Sequence, residues 1–362
     1  MATIKTAWRT TLTPLVAAIA LVLVWGRELS PLLTALTGLV LIAAVLVAVH
    51  HAEVVALRVG EPFGSLILAV AVTVIEVGLI LTLMAGGKPD AASLARDTVF
   101  AAVMITCNGI VGLCLLVGAV RHRVVAFNAE GSSGALTTVA TLATLCLVLP
   151  SVTVSSAGPT FSGGQLTFAA VVSLVLYAVY VFVQTVRHRD YFLPVETGGA
   201  EPADAHLPPT STREALISLG LLAVALVSVV GLAKTVSPAI EHGVRAMGAP
   251  LGVVGVAIAL VVLLPETLAS VRAASRDRLQ TSFNLALGSA LASIGLTIPA
   301  IAIATIWLPA PLLLGLSPTE ITLFALTIVV GTLTVVAGRA TVLQGAVHLL
   351  IFAAFLLTSV QP

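Results

Sequence analysis

The chain has 362 residues, 59% of them hydrophobic and only 9% charged, with a net charge of +1 and a mean hydropathy of +1.14. Soluble domains carry about 25% charged residues, so this composition excludes an ordinary water-soluble protein and makes the lipid bilayer its solvent. A nearly neutral chain also lacks the basic surface that binding to phosphate backbones requires, which argues against nucleic acid as a partner.

Runs of about 17–25 apolar residues mark helical membrane spans. Eleven are predicted, at 12–27, 31–49, 63–86, 98–120, 134–153, 165–186, 214–234, 249–271, 281–307, 319–338 and 341–360. Lys5 and Arg9 precede the first run as in a signal peptide. No small-residue cleavage site follows, however, and ten more runs do, so it reads as a retained first helix. Cys107, Cys114 and Cys146 all lie in apolar runs and read as buried small side chains rather than disulfide partners or metal ligands.

Orientation follows from Lys and Arg, which collect on the cytoplasmic side. With the N-terminus inside, inner segments hold twelve of the seventeen and outer segments five. The N-terminus is therefore predicted to be cytoplasmic and the C-terminus outside. The longest polar stretch, HRDYFLPVETGGAEPADAHLPPTSTRE, is rich in proline, glycine and acids and reads as a flexible connector.

That connector divides the chain into an N-terminal helix (1–30), a first repeat (31–187), a cytoplasmic linker (188–213) and a second repeat (214–362). Five spans per repeat is an odd number, so the halves enter the membrane in opposite senses. The expected fold is all-α, a polytopic membrane protein of about 11 transmembrane helices, an inverted repeat of two five-helix halves plus one helix. In such folds the substrate site lies at the repeat interface.

The second span of each repeat carries one glutamate, Glu76 in SLILAVAVTVIEVGLILTLM and Glu266 in LGVVGVAIALVVLLPETLASV. A carboxylate in hydrocarbon costs ~2.5–3.5 kcal/mol on insertion scales, so each is expected to face a protein-lined cavity and to carry function. Thr73 shares a helical face with Glu76. Thr106 and Asn108 lie in span four, and Pro265 loosens the turn before Glu266, freeing a carbonyl. In span nine Ser282, Ser289, Ser293 and Thr297 form one polar stripe. Such oxygens suit Ca²⁺, Mg²⁺ or Na⁺ rather than thiophilic metals. Counting at ~1.5 Å per residue sets Glu76 about 20 Å and Glu266 about 8 Å from the inner ends of their spans. The acids share a level only if span eight runs past Arg272 or the helices tilt.

Other polar groups carry less. His348 in GAVHLLIF reads as a packing histidine, and Arg339 as a side chain reaching the inner surface. His50, His51 and Glu53 lack the H-E-x-x-H spacing of an intramembrane zinc protease. No GxSxG, Walker or GxGxxG motif occurs, so no enzyme activity, cofactor or ATP-driven pumping is expected.

Two stretches carry a family resemblance. GEPFGSLILAVAVTVIEVGLI resembles the first α-repeat of the cation/proton exchangers, the CAX family of the Ca²⁺:cation antiporter superfamily, with Gly60, Glu61, Gly64 and Glu76 in register. PETLASVRAASRDRLQTSFNLALGS resembles the second, with Glu266, Arg276, Asp277, Arg278, Asn284, Gly288 and Ser289 matching without a gap. AFNAEGSSGALTTVATLATLCLVLP and GRATVLQGAVHLLIFAAFLL extend the likeness to nearly the whole chain, within the bacterial ChaA-type branch. The resemblance implies an ion site shared by Glu76 and Glu266; Thr73, Asn108, Asn284, Ser289 and Ser293 are the expected supporting residues. It further implies exchange of Ca²⁺, or Na⁺ or K⁺, for protons, with inorganic cations, protons and the bilayer as partners. Thr73, Thr267 and Ala292 replace the family's Asn, His and Gln, and the acidic helix between the halves is reduced to Glu196, Glu201 and Asp204. Fewer ligands remain, which favours Na⁺ or K⁺. A cation channel and an intramembrane enzyme are the alternatives.

Overall fold

The computed structural model describes residues 2–27, 29–60, 63–84, 92–195, 211–246, 248, 250, 252–307 and 312–361. Glu61, Glu196, Glu201 and Asp204 fall outside them. The described chain is helical apart from two short strands: α1 Ala2–Val24, α2 Pro31–Val59, α3 Phe63–Met84, α4 Leu94–Met104, α5 Val111–His122, β1 Val125–Ala126, α6 Ala129–Ala143, α7 Leu149–Val152, α8 Gly163–Phe182, α9 Thr212–Ala246, α10 Gly252–Val262, α11 Leu264–Ala274, α12 Leu279–Ala304, α13 Pro318–Val336, β2 Arg339–Ala340 and α14 Val342–Val360. A π-helical turn, Ile105–Ile110, joins α4 to α5, and another, Thr144–Val148, joins α6 to α7.

Among the described residues eight helices are long and apolar enough to cross a membrane, and α10 with α11 together make one more such span, bent by 52°. Two shorter apolar helices lie at Thr10–Val24 and Ala69–Met84, where the first and third spans were expected. The protein is thus a polytopic membrane protein. Large apolar side chains such as Val22, Leu32 and Leu350 are 70–78% exposed. In water that belt would aggregate; against lipid it is matched.

Local signals set many of the ends. Ser30 caps α2 ahead of Pro31. Ser162 with Gln165, Ser317 with Glu320, and Thr341 with Gln344 form capping boxes that start α8, α13 and α14. Elsewhere hydropathy misplaced the ends. Span seven, expected at 214–234, continues as α9 to Ala246 through Lys234 and Pro238, with the Lys234 ammonium 5.3 Å from the Trp25 ring centroid. That cation–π contact keeps the charge among partners.

Two spans occupy the middle. Leu94–His122 has 83% of its apolar window inside the protein and Leu279–Ala304 has 61%, against 22–44% for the other long helices. One hydrophobic core surrounds these two, while a separate one joins α1, α2, α3 and α9. The three cysteines are buried and free.

The interhelical segments gather on two opposite faces. On one, β1 pairs antiparallel with β2, Val125 opposite Ala340, and Gln280 Oε1 accepts from the Asn128 amide at 2.7 Å. On the other, the Leu316 amide donates to the Leu147 carbonyl at 2.9 Å and Leu313 to Ala92 at 3.1 Å. The sequence reading assigns every segment of the strand face to the inner side.

Close helix contact between α5 and α14 depends on glycine. A Cβ on Gly345 would lie 2.6 Å from the Leu116 amide nitrogen and 3.0 Å from the Gly112 carbonyl, both backbone atoms. Small residues let membrane helices approach in this way. Gly345→Ala is expected to cost ~1–3 kcal/mol of packing and to lower the thermal midpoint in detergent. Gly134→Ala, with nothing within 4 Å, is the control and leaves it unchanged.

Candidate ion-binding site

Glu76 sits on α3 where that helix meets α12, and only 3% of it is exposed. Ser293 Oγ donates to Glu76 Oε1 at 2.6 Å and Thr297 Oγ1 donates to Oε2 at 3.1 Å. The spacing explains this pair: residues 293 and 297 are one helical turn apart, so both hydroxyls present the same face. Each carboxylate oxygen thereby receives a donor, the arrangement a buried charge requires.

Thr73, Glu76, Ser289 and Ser293 line one small cavity of about 10 Å³, together with Ala102, Ala259, Leu263 and Ala292. That is room for about one water molecule. Four of the expected site residues therefore meet in one place. Thr297 joins them through its bond to Glu76. Ser282, the fourth member of the stripe, instead donates to the Ser270 carbonyl at 2.7 Å.

Glu266 lies in the first turn of α11, just beyond the break at Leu263. Pro265 carries no N–H for the Val261 carbonyl, while the Thr267 amide and hydroxyl both donate to Leu263, at 2.9 and 2.7 Å. A helix N-terminus favours a negative group there. Glu266 Oε2 is buried without a hydrogen-bond partner, and its carboxyl lies within electrostatic range of both Glu53 and Glu76. Glu266 does not line the cavity around Glu76. Span eight does pass Arg272, ending at Ala274. Counted along the helices at ~1.5 Å per residue, Glu266 is then about 12 Å from its helix end and Glu76 about 20 Å, while the 52° bend tilts the segment that carries Glu266.

Asn108 and Asn284 are placed away from the acids. In the π-turn, Asn108 Nδ2 donates to Thr327 Oγ1 at 2.9 Å and its Oδ1 lies 3.1 Å from His348 Nδ1. His348 Nε2 in turn lies 3.2 Å from Thr334 Oγ1. Asn108, Thr327, Thr334 and His348 are all at most 4% exposed and close on one another, a satisfied polar network joining α13 and α14 to the central span. Asn284 Nδ2 donates to the Phe192 carbonyl at 2.6 Å and fastens α12 to the segment after α8. His348→Leu strands Asn108 Oδ1, at ~1–3 kcal/mol, while Thr334 Oγ1 keeps its bond to the Val330 carbonyl at 2.9 Å. It is expected to lower the thermal midpoint while leaving the cation KM of the folded fraction within about twofold.

Among the described residues no group of three or more His, Cys, Asp and Glu is arranged to hold a metal ion. Hydroxyls and carbonyls would have to complete any coordination shell. Thr297 lies in the stripe that the sequence marks; the sequence groups Glu53 with His50 and His51, and its relation to Glu266 is a product of packing.

The sodium/calcium exchanger protein family matches the chain twice, at residues 29–186 and 217–361. The chain belongs to the sodium/calcium exchanger family. Among relatives of this exchanger, the protein y4hA of Sinorhizobium fredii is 49% identical over 335 residues, covering 92% of this chain and 90% of that one. The sodium-potassium/proton antiporter ChaA of Escherichia coli is 33% identical over 348 residues, covering 95% and 94%. Among solved structures, native YfkE superposes with a TM-score of 0.72 at 15% identity over 98% of this chain and 99% of that one. The H⁺/Ca²⁺ exchanger CAX gives 0.68 at 15%, over 96% and 86%. These two likenesses establish the exchanger's fold.

Proposed function

We propose that the chain is a secondary active cation:proton antiporter of the bacterial inner membrane, exporting Na⁺, K⁺ or Ca²⁺ in exchange for protons. The observation that carries this reading is the buried Glu76 carboxylate, held by two hydroxyls of the opposite repeat beside a cavity of about 10 Å³. Glu266 stands close enough to interact with it across the break in the eighth span. A buried carboxylate pair accommodates protons or a cation, and each disfavours the other. Alternate exposure of such a site to the two sides turns that competition into exchange.

The relative ChaA is by name a sodium-potassium/proton antiporter, which supports the monovalent cations. The solved CAX is an H⁺/Ca²⁺ exchanger, and the hard-oxygen ligand set admits Ca²⁺ as the second reading. The two separate family matches support inverted repeats at 31–187 and 214–362, joined by a linker at 188–213 and preceded by one helix, eleven spans in all. The strand face is then cytoplasmic, with the N-terminus inside and the C-terminus outside.

Everted vesicles carrying an imposed proton gradient and a pH-sensitive dye test the reading. Adding Na⁺, K⁺ or Ca²⁺ is expected to dissipate the gradient in proportion to cation taken up. Cation flux that ignores the gradient would indicate a channel instead.

A further inference from the structure

A second, much larger cavity lies apart from Glu76 and Glu266, on the face opposite the strands. It has a volume of about 650 Å³ and is lined by Ser93, Arg96, Asp97, Gly252, Glu320 and Thr358 among others, with Phe100, Val256 and Phe355. At about 30 Å³ per water it holds on the order of twenty molecules. An inorganic cation with its full hydration shell fits. Among the described residues its charged groups are Arg96, Asp97 and Glu320, so acids outnumber bases there. Arg96 Nε donates to Asp97 Oδ1 at 2.8 Å and its Nη1 to the Gly315 carbonyl at 3.1 Å. Asp97 Oδ2 accepts from Ser93 at 2.9 Å. The surplus charge is that of Glu320, and a cavity of one net sign concentrates the opposite ion.

The cavity's relation to the Glu76 site is fixed by helix register. On α10, Val256 lines the large cavity and Ala259 lines the small one, a separation of three residues, or about 5 Å. On α4, Phe100 lines the large cavity and Ala102 the small one. Less than one turn of α10 therefore separates the linings of the two cavities. Phe100 and Val256 are 1% and 6% exposed, Phe355 is 3% exposed, and the Phe100 and Phe355 rings meet edge to face at 5.7 Å. Immediately beside these side chains α4 and α10 touch: a Cβ on Gly255 would lie 3.0 Å from the Thr98 amide nitrogen.

We propose that the 650 Å³ cavity is the outer antechamber of the ion path, occupied by a hydrated inorganic cation, and that Phe100, Val256 and Phe355 form the apolar layer closing it from Glu76. The assignment rests on the proposed transport function for the identity of the ion, and on geometry alone for the route. Hydrated ions do not cross a packed apolar constriction; displacement of this layer is the event that connects the two spaces.

The test is thiol labelling of the full chain in proteoliposomes with a membrane-impermeant cationic methanethiosulfonate. Cys107, Cys114 and Cys146 are first replaced by alanine, and Thr358→Cys or Ser289→Cys is then introduced. Thr358→Cys, in the antechamber, is expected to react at least 100-fold faster than Ser289→Cys, in the small cavity. Adding Val256→Ala or Phe100→Ala is expected to speed Ser289→Cys at least tenfold and to leave Thr358→Cys unchanged. The proposal is overturned if Thr358→Cys is unreactive, if Ser289→Cys matches it in the parent, or if neither substitution accelerates Ser289→Cys while Thr358→Cys still labels. Labelling needs no transport, so a chain that labels as expected yet exchanges no cation refutes the antiport reading and leaves the gated route standing.

Discussion

Replacing either Glu76 or Glu266 by glutamine is expected to abolish cation-driven proton movement, with folding intact. At an effective dielectric of about 20, a carboxylate 4 Å from a monovalent cation contributes ~4 kcal/mol, or roughly a thousandfold in affinity. Glutamine at 76 keeps a side-chain oxygen for Ser293 or Thr297, so the packing survives while the charge is lost. Glu76→Asp withdraws the carboxylate by one methylene and is expected to fail as well, because it no longer spans both hydroxyls. Vesicle assays of each variant, with size-exclusion profiles as the control for folding, measure this. Exchange persisting in both glutamine variants would refute the shared acid site.

The second large effect concerns the two hydroxyls. Ser293 and Thr297 donate to the two oxygens of Glu76, and to an ionised carboxylate such hydrogen bonds contribute ~1.5–3 kcal/mol each. Ser293→Ala combined with Thr297→Val is expected to raise the apparent cation KM on the order of a hundredfold or more, with the maximal rate less affected. Raising the pH is expected to recover part of the loss, since the proton competes for the same oxygens. Ser282→Ala, which removes a hydroxyl from the same stripe that bonds Ser270 instead, leaves KM unchanged. Equal effects from Ser282→Ala and the double variant would mean that the stripe acts through helix packing alone.

How far the sequence carried these conclusions varied by element. The cost of placing Glu76 in lipid made it conspicuous, and the four-residue spacing of Ser289, Ser293 and Thr297 identified the helix face that meets it. Hydropathy located a helix in each of the expected spans. It could not see that α9 runs twelve residues past 234, because Lys234 and Pro238 look like terminators until Trp25 is placed beside them. Nor could it see the angle at Leu263: Pro265 signals a loosened turn, but 52° comes from how both half-helices pack. Asn108 and Asn284 looked equally suited to bind ions. Their partners lie 219, 240 and 92 residues away, and no local pattern reports contacts at that range.

The two-rung ladder between 125–126 and 339–340 has a bearing on how the machine moves. It stitches a turn of one half to a turn of the other, and the Asn128–Gln280 bond adds a third thread. Swinging the halves apart at that surface would rip the seam on every cycle. The mobile part must be sought away from it, among α1, α2, α3 and α9, which share a separate core. The stitched helices then serve as the stator, and covalently locking 125 to 340 would leave turnover running.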